Sequence, residues 1–173
     1  MNEKPLHISE LFNQFHRDVY HFALYFTNNK QDAEDITQET FLKAMKNLHQ
    51  LKDPQKVKTW ILSIARFTAV DWIRKQKLRR LFTITASTVT HEEDMNSRRV
   101  IGEENWKDLQ QALLKLKPHY RSVIIMRGLN ELSVKETAEA LQCSEGKVRV
   151  DFHRAIQELK KDDSLKERWE SYE

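Results

Sequence analysis

Apolar residues recur at helical spacing through most of this 173-residue chain, and the stripes fall into two groups. Ile8, Leu11, Phe12, Phe15, Val19, Phe22, Ala23 and Phe26 share one face of a helix spanning about residues 8–27. A second stripe, Ala33, Ile36, Phe41, Ala44 and Leu48, predicts a helix over about 30–48. Its acids Asp32, Asp35 and Glu39 stand at i, i+3 and i+7 on another face. Pro54 disfavours helix at the residue before it and marks a break over 51–54. A third helix is predicted over about 55–77, with Trp60, Ile61, Ile64, Ala65, Thr68, Trp72 and Ile73 inward. Three such helices carry enough large apolar groups for a compact domain over residues 1–80.

Between 81 and 105 the periodicity fails. FTITASTVT is β-branched and HEEDMNSRR is polar, and no partner strand is predicted elsewhere. A flexible linker is the expectation. A second helical domain follows over 106–173. One helix runs from about Trp106 to Lys115, and Pro118, suited to a first helical turn, opens another containing Val123, Ile124 and Met126. The tail from Asp162 reads as a frayed end on which Leu165 and Trp169 could dock. The fold class is all-α: two small helical domains joined by a flexible linker.

Residues 133–161 are the most specific stretch. Ser133 and Glu136 have the S-x-x-E spacing of a capping box, and Val134, Ala138 and Leu141 share a face behind it. Ser144 is a second N-cap, opening a helix to about Lys161 with Val148, Phe152, Ala155, Ile156 and Leu159 inward. Two short helices joined by a tight turn form a helix-turn-helix, whose second helix enters the DNA major groove. The face opposite the inner stripe holds Gly146, Lys147, Val150, His153 and Arg154, with Arg149 and Asp151 on the flanks. Such a helix reads bases with its N-terminal residues, which favours Lys147 and Val150; Arg154 suits phosphate. The turn has Gln142 and Cys143 where glycine is common.

Composition narrows the class. Three Gly and three Pro agree with a helical chain, and a mean hydropathy of −0.72 with no apolar run near ~20 residues argues against a membrane span. The N-terminus lacks the apolar core of a signal peptide. The single cysteine, Cys143, excludes an intrachain disulfide and a multi-cysteine zinc site, and fits the cytoplasm. No phosphate-binding glycine loop, metal cluster or supported nucleophile–base pair is present, so no catalysis, metal or cofactor is expected.

Net charge is only +3, so DNA binding has to rest on local patches. Nine Lys and Arg lie between Lys52 and Arg80, against Asp53 and Asp71, interleaved with Trp60, Phe67 and Trp72. From Glu92 to Asp108 the balance reverses, with six acids against three bases. The segregation suggests separate surfaces for separate partners.

DAEDITQETFLKAMKNL (Asp32–Leu48) followed by KTWILSIARFTAVDWIRKQKLRR (Lys58–Arg80) resembles domain two of a bacterial sigma factor. LLKLKPHYRSVIIMRGLNELSVKETAEALQCSEGKVRVDFHRAIQELKK resembles domain four. The order of motifs and the lack of a third domain resemble the extracytoplasmic-function (ECF) group of the sigma-70 family, over about residues 6–161. The resemblance implies that Asp35, Gln38 and Glu39 dock on the clamp helices of the largest core RNA polymerase subunit. It implies a minus-ten surface of Lys52, Lys56, Lys58, Arg66, Phe67, Arg74, Lys75 and Lys77, where an unstacked base needs an aromatic or guanidinium and its strand needs cations. Trp60 and Trp72 are candidate stacking partners for that base, but both fall on the inward stripe, which favours the core over DNA. Ser144, Gly146, Lys147, Arg149, Val150, His153 and Arg154 are the implied minus-thirty-five set.

Two departures stand out. Phe67 occupies a place where the family often has asparagine. GKVRVDFHRA stands where the family often has G-T-V-K-S-R-L-x-R-A, with Asp151 replacing an arginine; it would cost phosphate attraction or accept from a cytosine amine. The linker acids Glu92, Glu93 and Asp94 resemble the charge of nucleic acid in the polymerase cleft. The resemblance also implies an anti-sigma partner, often membrane-bound, covering the polymerase- or DNA-binding faces. Alternative readings are a stand-alone helix-turn-helix regulator, which leaves residues 55–77 unused, and a helical adaptor that binds no DNA.

Overall fold

The computed structural model describes residues 7–82, 103–162 and Leu165, and every element among them is helical. Helix α1 spans Ile8–Thr27, α2 Lys30–Asn47 and α3 Val57–Phe82. Short 3-10 turns at Leu48–Gln50 and Pro54–Lys56 join the last two. Helices α4 (Glu103–Lys115), α5 (Pro118–Ile124), α6 (Val134–Leu141) and α7 (Glu145–Lys160) follow. Between α5 and α6, Ile125–Leu129 forms a π-helical turn that the sequence pattern did not signal. Helix α3 runs five residues past the expected end at Lys77. The stretch expected to be a linker falls almost wholly outside the described residues, as do Glu92, Glu93, Asp94 and Trp169.

Local chemistry explains the boundaries. Asn28 ends α1 in the left-handed region (φ 52°), and its N–H donates to Leu24 O at 2.7 Å. Asn29 then caps α2, its side chain accepting from Asp32 N at 2.9 Å. Asp53 accepts from Gln55 N at 2.9 Å, with Pro54 at the first position of the turn that leads into α3. The capping box at Ser133 and Glu136 forms as expected, at 3.1 and 2.7 Å.

Helices α1, α2 and α3 pack pairwise around Phe22, Phe26, Ile36, Ile61 and Leu62, all fully buried. The last four helices close around Leu113, Val123, Ile125, Met126, Leu132 and Val148. Leu165 is also buried, so this part of the tail docks. The two domains touch, with α1 meeting α4, α5 and the π turn, and α3 meeting α6. Residues outside the expected stripes are buried as well: Leu24 and Tyr25 on α1, and Ala140 on α6. In the opposite direction, Phe12 was expected in the core and is 46% exposed.

Arg121 joins the halves. It is 6% exposed, and its guanidinium donates to Leu113 O (2.8 Å), Leu114 O (2.7 Å) and Leu116 O (3.1 Å) at the end of α4, and to Phe26 O (2.6 Å) in the last turn of α1. These include carbonyls that a helix end leaves without an intrahelical donor, where cations are favoured. Burial pushes the Arg121 guanidinium down to about 10, so it stays charged at neutral pH. Asn130, 4% exposed, adds a bond from Nδ2 to Asp18 O at 3.3 Å.

Candidate nucleic-acid interface

The C-terminal surface is set by how α7 is seated. Ser144 Oγ accepts from Lys147 N at 3.2 Å, fixing the helix start after a turn in which Gln142 takes φ 54°. Val148, Ala155 and Leu159 anchor the helix inward. Ser144, Gly146, Lys147, Arg149, Val150, His153 and Arg154 are all exposed along its outer side. Val150 is 48% exposed, an apolar group on a cationic face. Arg149 pairs with Glu145 at 2.9 Å across one turn, a surface pair of small energetic weight.

Asp151 does not lie on the flank. It is 2% exposed, and its Oδ2 accepts from His119 Nε2 on α5 at 2.7 Å and from Lys147 Nζ at 2.6 Å. Burial pushes its carboxyl up, but the two hydrogen bonds outweigh it and hold the group below its usual range. A carboxylate so enclosed neither repels phosphate at the surface nor reaches a cytosine amine. Both expected roles are therefore replaced by an internal one. Lys147 is raised chiefly by its bond to Asp151.

On the N-terminal domain, Lys52, Arg74, Lys75, Lys77 and Phe67 are exposed. Phe67 is 43% exposed and the Arg66 guanidinium lies 4.8 Å from its ring centroid. Arg66 is partly buried, its Nε has no partner among the described residues, and burial lowers its pKa. Trp60 and Trp72 are partly buried against the core, in keeping with their place on the inward stripe. Lys75 pairs with Asp71 (3.1 Å) and Lys58 with Asp18 (3.2 Å). Lys56 reaches across to the other domain, where Glu139 of α6 accepts at 2.9 Å. Glu139, Ala140 and Gln142 thereby close one side of a cleft whose other side holds Lys52, Lys56 and Trp60.

A third surface lies between α1 and α2. Phe12, Leu42 and Met45, each 46–50% exposed, line an apolar groove bordered by Asp35 and Gln38. Glu39 stands outside it, paired with Lys43 at 3.4 Å. The sequence reading singled out the polar rim and missed the apolar floor. Leu42 and Met45, three apart on α2 and off its inward stripe, were the available signal. No cluster of His, Cys, Asp or Glu suited to a metal occurs among the described residues, and none of their helices is long and apolar enough to cross a membrane.

Sigma-70 region 2 matches residues 11–79 and sigma-70 region 4 matches residues 106–159. The chain is 33% identical over 156 residues to the ECF RNA polymerase sigma factor SigX of Bacillus subtilis, covering 87% of this chain and 80% of SigX. The chain belongs to the ECF group of the sigma-70 family. It is 35% identical over 161 residues to the RNA polymerase sigma factor YlaC of the same organism, covering 89% of this chain and 90% of YlaC. In fold it is similar to the sigma factor RpoE solved with the anti-sigma factor NepR from Bartonella quintana. The TM-score is 0.75 at 21% identity, over 91% of this chain and 96% of that one. It also resembles CnrH solved with the cytosolic domain of CnrY, at TM-score 0.64, over 88% and 84% of the two chains.

Proposed function

We propose that this ECF sigma factor binds core RNA polymerase, recognises promoter DNA through two elements and promotes opening of the minus-ten region. The observation that carries the reading is the pairing, on one chain, of two differently built cationic surfaces. The outer face of α7 is a helix-turn-helix surface suited to duplex DNA. Helix α3 presents Arg74, Lys75 and Lys77 with the exposed ring of Phe67, a combination suited to single-stranded DNA. A stand-alone regulator would have no use for the second surface. The groove of Phe12, Leu42 and Met45, rimmed by Asp35 and Gln38, is the reading's polymerase-binding face. The chain acts in the cytoplasm without catalysing a reaction, and an anti-sigma partner covers one or more of these faces.

The double substitution Arg74→Ala with Lys75→Ala tests the assignment of α3. Promoter opening, followed by permanganate reactivity of unpaired thymines, is expected to fall at least tenfold. Binding to core polymerase in a pull-down is expected to stay unchanged. Lost polymerase binding with opening retained on the residual complex would place the polymerase interface on α3 instead.

A further inference from the structure

We infer that Asp151 is a positioning residue, which fixes the Lys147 ammonium at the start of α7 so that Lys147 discriminates a guanine in the upstream promoter element. The inference rests on the sigma reading and adds a specificity device to it.

A lysine on a free stem is a poor reader of sequence. Its ammonium swings through many rotamers and settles on whichever phosphate is near. Lys147 is not on a free stem. Its ammonium lies 2.6 Å from Asp151 Oδ2, and that carboxylate cannot swing because its side chain is 3% exposed. The same oxygen, Asp151 Oδ2, also accepts from His119 Nε2 at 2.7 Å, a bond that crosses from α5 to α7. The backbone beneath Lys147 is also fixed, since its N–H donates to Ser144 Oγ at 3.2 Å. The Lys147 side chain nevertheless remains 53% exposed, in the first turn, where such a helix meets base edges.

Two consequences follow from this geometry. An ammonium has three donors; with one on Asp151, two are left in a defined direction. Guanine presents two acceptors, O6 and N7, on its major-groove edge, the match for a cation with directed donors. The neighbouring carboxylate also cancels most of the charge that Lys147 would offer a phosphate. Lys147 is thus built for discrimination and poorly built for salt-dependent affinity. Arg154, exposed on the same helix, is the natural phosphate ligand by comparison.

The test uses holoenzyme assembled from the full chain and core polymerase, selecting bound duplexes from a pool randomised across the upstream element. Wild type should enrich guanine at one position. Lys147→Met, a change at an exposed site, should lower that preference by roughly tenfold, within the range for one lost base contact. Preferences elsewhere and the salt dependence should stay as they are. Asp151→Asn should release Lys147: guanine preference falls, while the salt dependence of binding steepens by about one phosphate contact. A merely structural carboxylate would not produce that opposed pair of changes. The inference is overturned if Lys147→Met weakens all sequences alike and flattens the salt dependence by about one contact. It is equally overturned if Asp151→Asn keeps the guanine preference. Should Asp151→Asn fail to fold, Lys147→Met decides by itself. Failure of the wild-type holoenzyme to enrich any upstream sequence would instead sink the sigma reading, an outcome visible before any variant is compared.

Discussion

A guanidinium taken out of water needs acceptors in proportion to its N–H groups, and Arg121 finds them at helix ends. Three of its four hydrogen bonds go to carbonyls of Leu113, Leu114 and Leu116, within its own domain, and one goes to Phe26 O of the other. The internal set holds the C-terminus of α4 against α5, and the bond to Phe26 O, with the guanidinium 5.1 Å from the Phe26 ring centroid, ties it to the other domain. Removing the guanidinium takes a donor from four carbonyls, of which Leu113 O keeps its bond from Leu116 N at 3.2 Å. Arg121→Ala is expected to destabilise the chain by about 3 kcal/mol, read from the denaturant midpoint. Arg121→Lys should recover little of this, because a point-charge ammonium cannot span carbonyls that a planar fork reaches. Full rescue by lysine would show that charge alone matters there. Sequence reasoning had Arg121 within a family motif yet gave it no role, since its partners lie on two helices up to 95 residues away. Asp151 was misread for the same reason: its burial depends on His119, 32 residues upstream, which no local pattern reveals.

At the scale of elements, much of the architecture was legible because each helix announces itself locally. The stripes and caps located α1, α2, α6 and α7 to within a residue or so, since periodicity and Ser or Asn capping are short-range effects. What periodicity cannot report is a second buried face. Leu24, Tyr25 and Ala140 are buried off the expected stripes, on helices that meet elements of both domains, and one stripe accounts for only one neighbour. The π turn at Ile125–Leu129 was also silent, as it depends on Asn130 N reaching Ile125 O at 2.8 Å. The turn between α6 and α7 carries a local conflict of its own. Gln142 holds φ 54° and ψ 47°, a region that costs a residue with a Cβ about 1 kcal/mol and glycine little. Gln142→Gly should therefore raise stability by about 1 kcal/mol, seen as a higher thermal midpoint. A lowered midpoint would mean that the glutamine side chain, at the edge of the cleft facing Lys52 and Trp60, contributes contacts that outweigh the backbone strain.

For the whole molecule, the decisive relation is between the two domains. As they stand, α6 lies over the loop that carries Lys56, and Glu139 holds that lysine at 2.9 Å. The proposed promoter elements are centred some twenty-five base pairs apart by their names, roughly 85 Å along B-form DNA. A domain of about 70 residues has a radius of gyration of roughly 11 Å, so two touching domains cannot reach both sites. The twenty residues between Phe82 and Glu103 can span up to ~66 Å when extended, enough to bring the two surfaces into register. Engagement of both elements therefore breaks the Lys56–Glu139 pair and the Arg121–Phe26 bond. The polar contacts given up are a half-exposed ion pair of small weight and two bonds to neutral backbone acceptors, the second being Asp18 O, and with them goes the packing of α1 on α4, α5 and the π turn and of α3 on α6. Run-off transcription with purified core polymerase separates a sigma factor from a stand-alone regulator. The full chain, added to core enzyme that is inactive alone, is expected to yield discrete transcripts from a subset of duplex promoters of its source genome. Discrete shifts of duplex DNA by the chain alone, with no transcript from any promoter when core is present, would contradict the sigma reading.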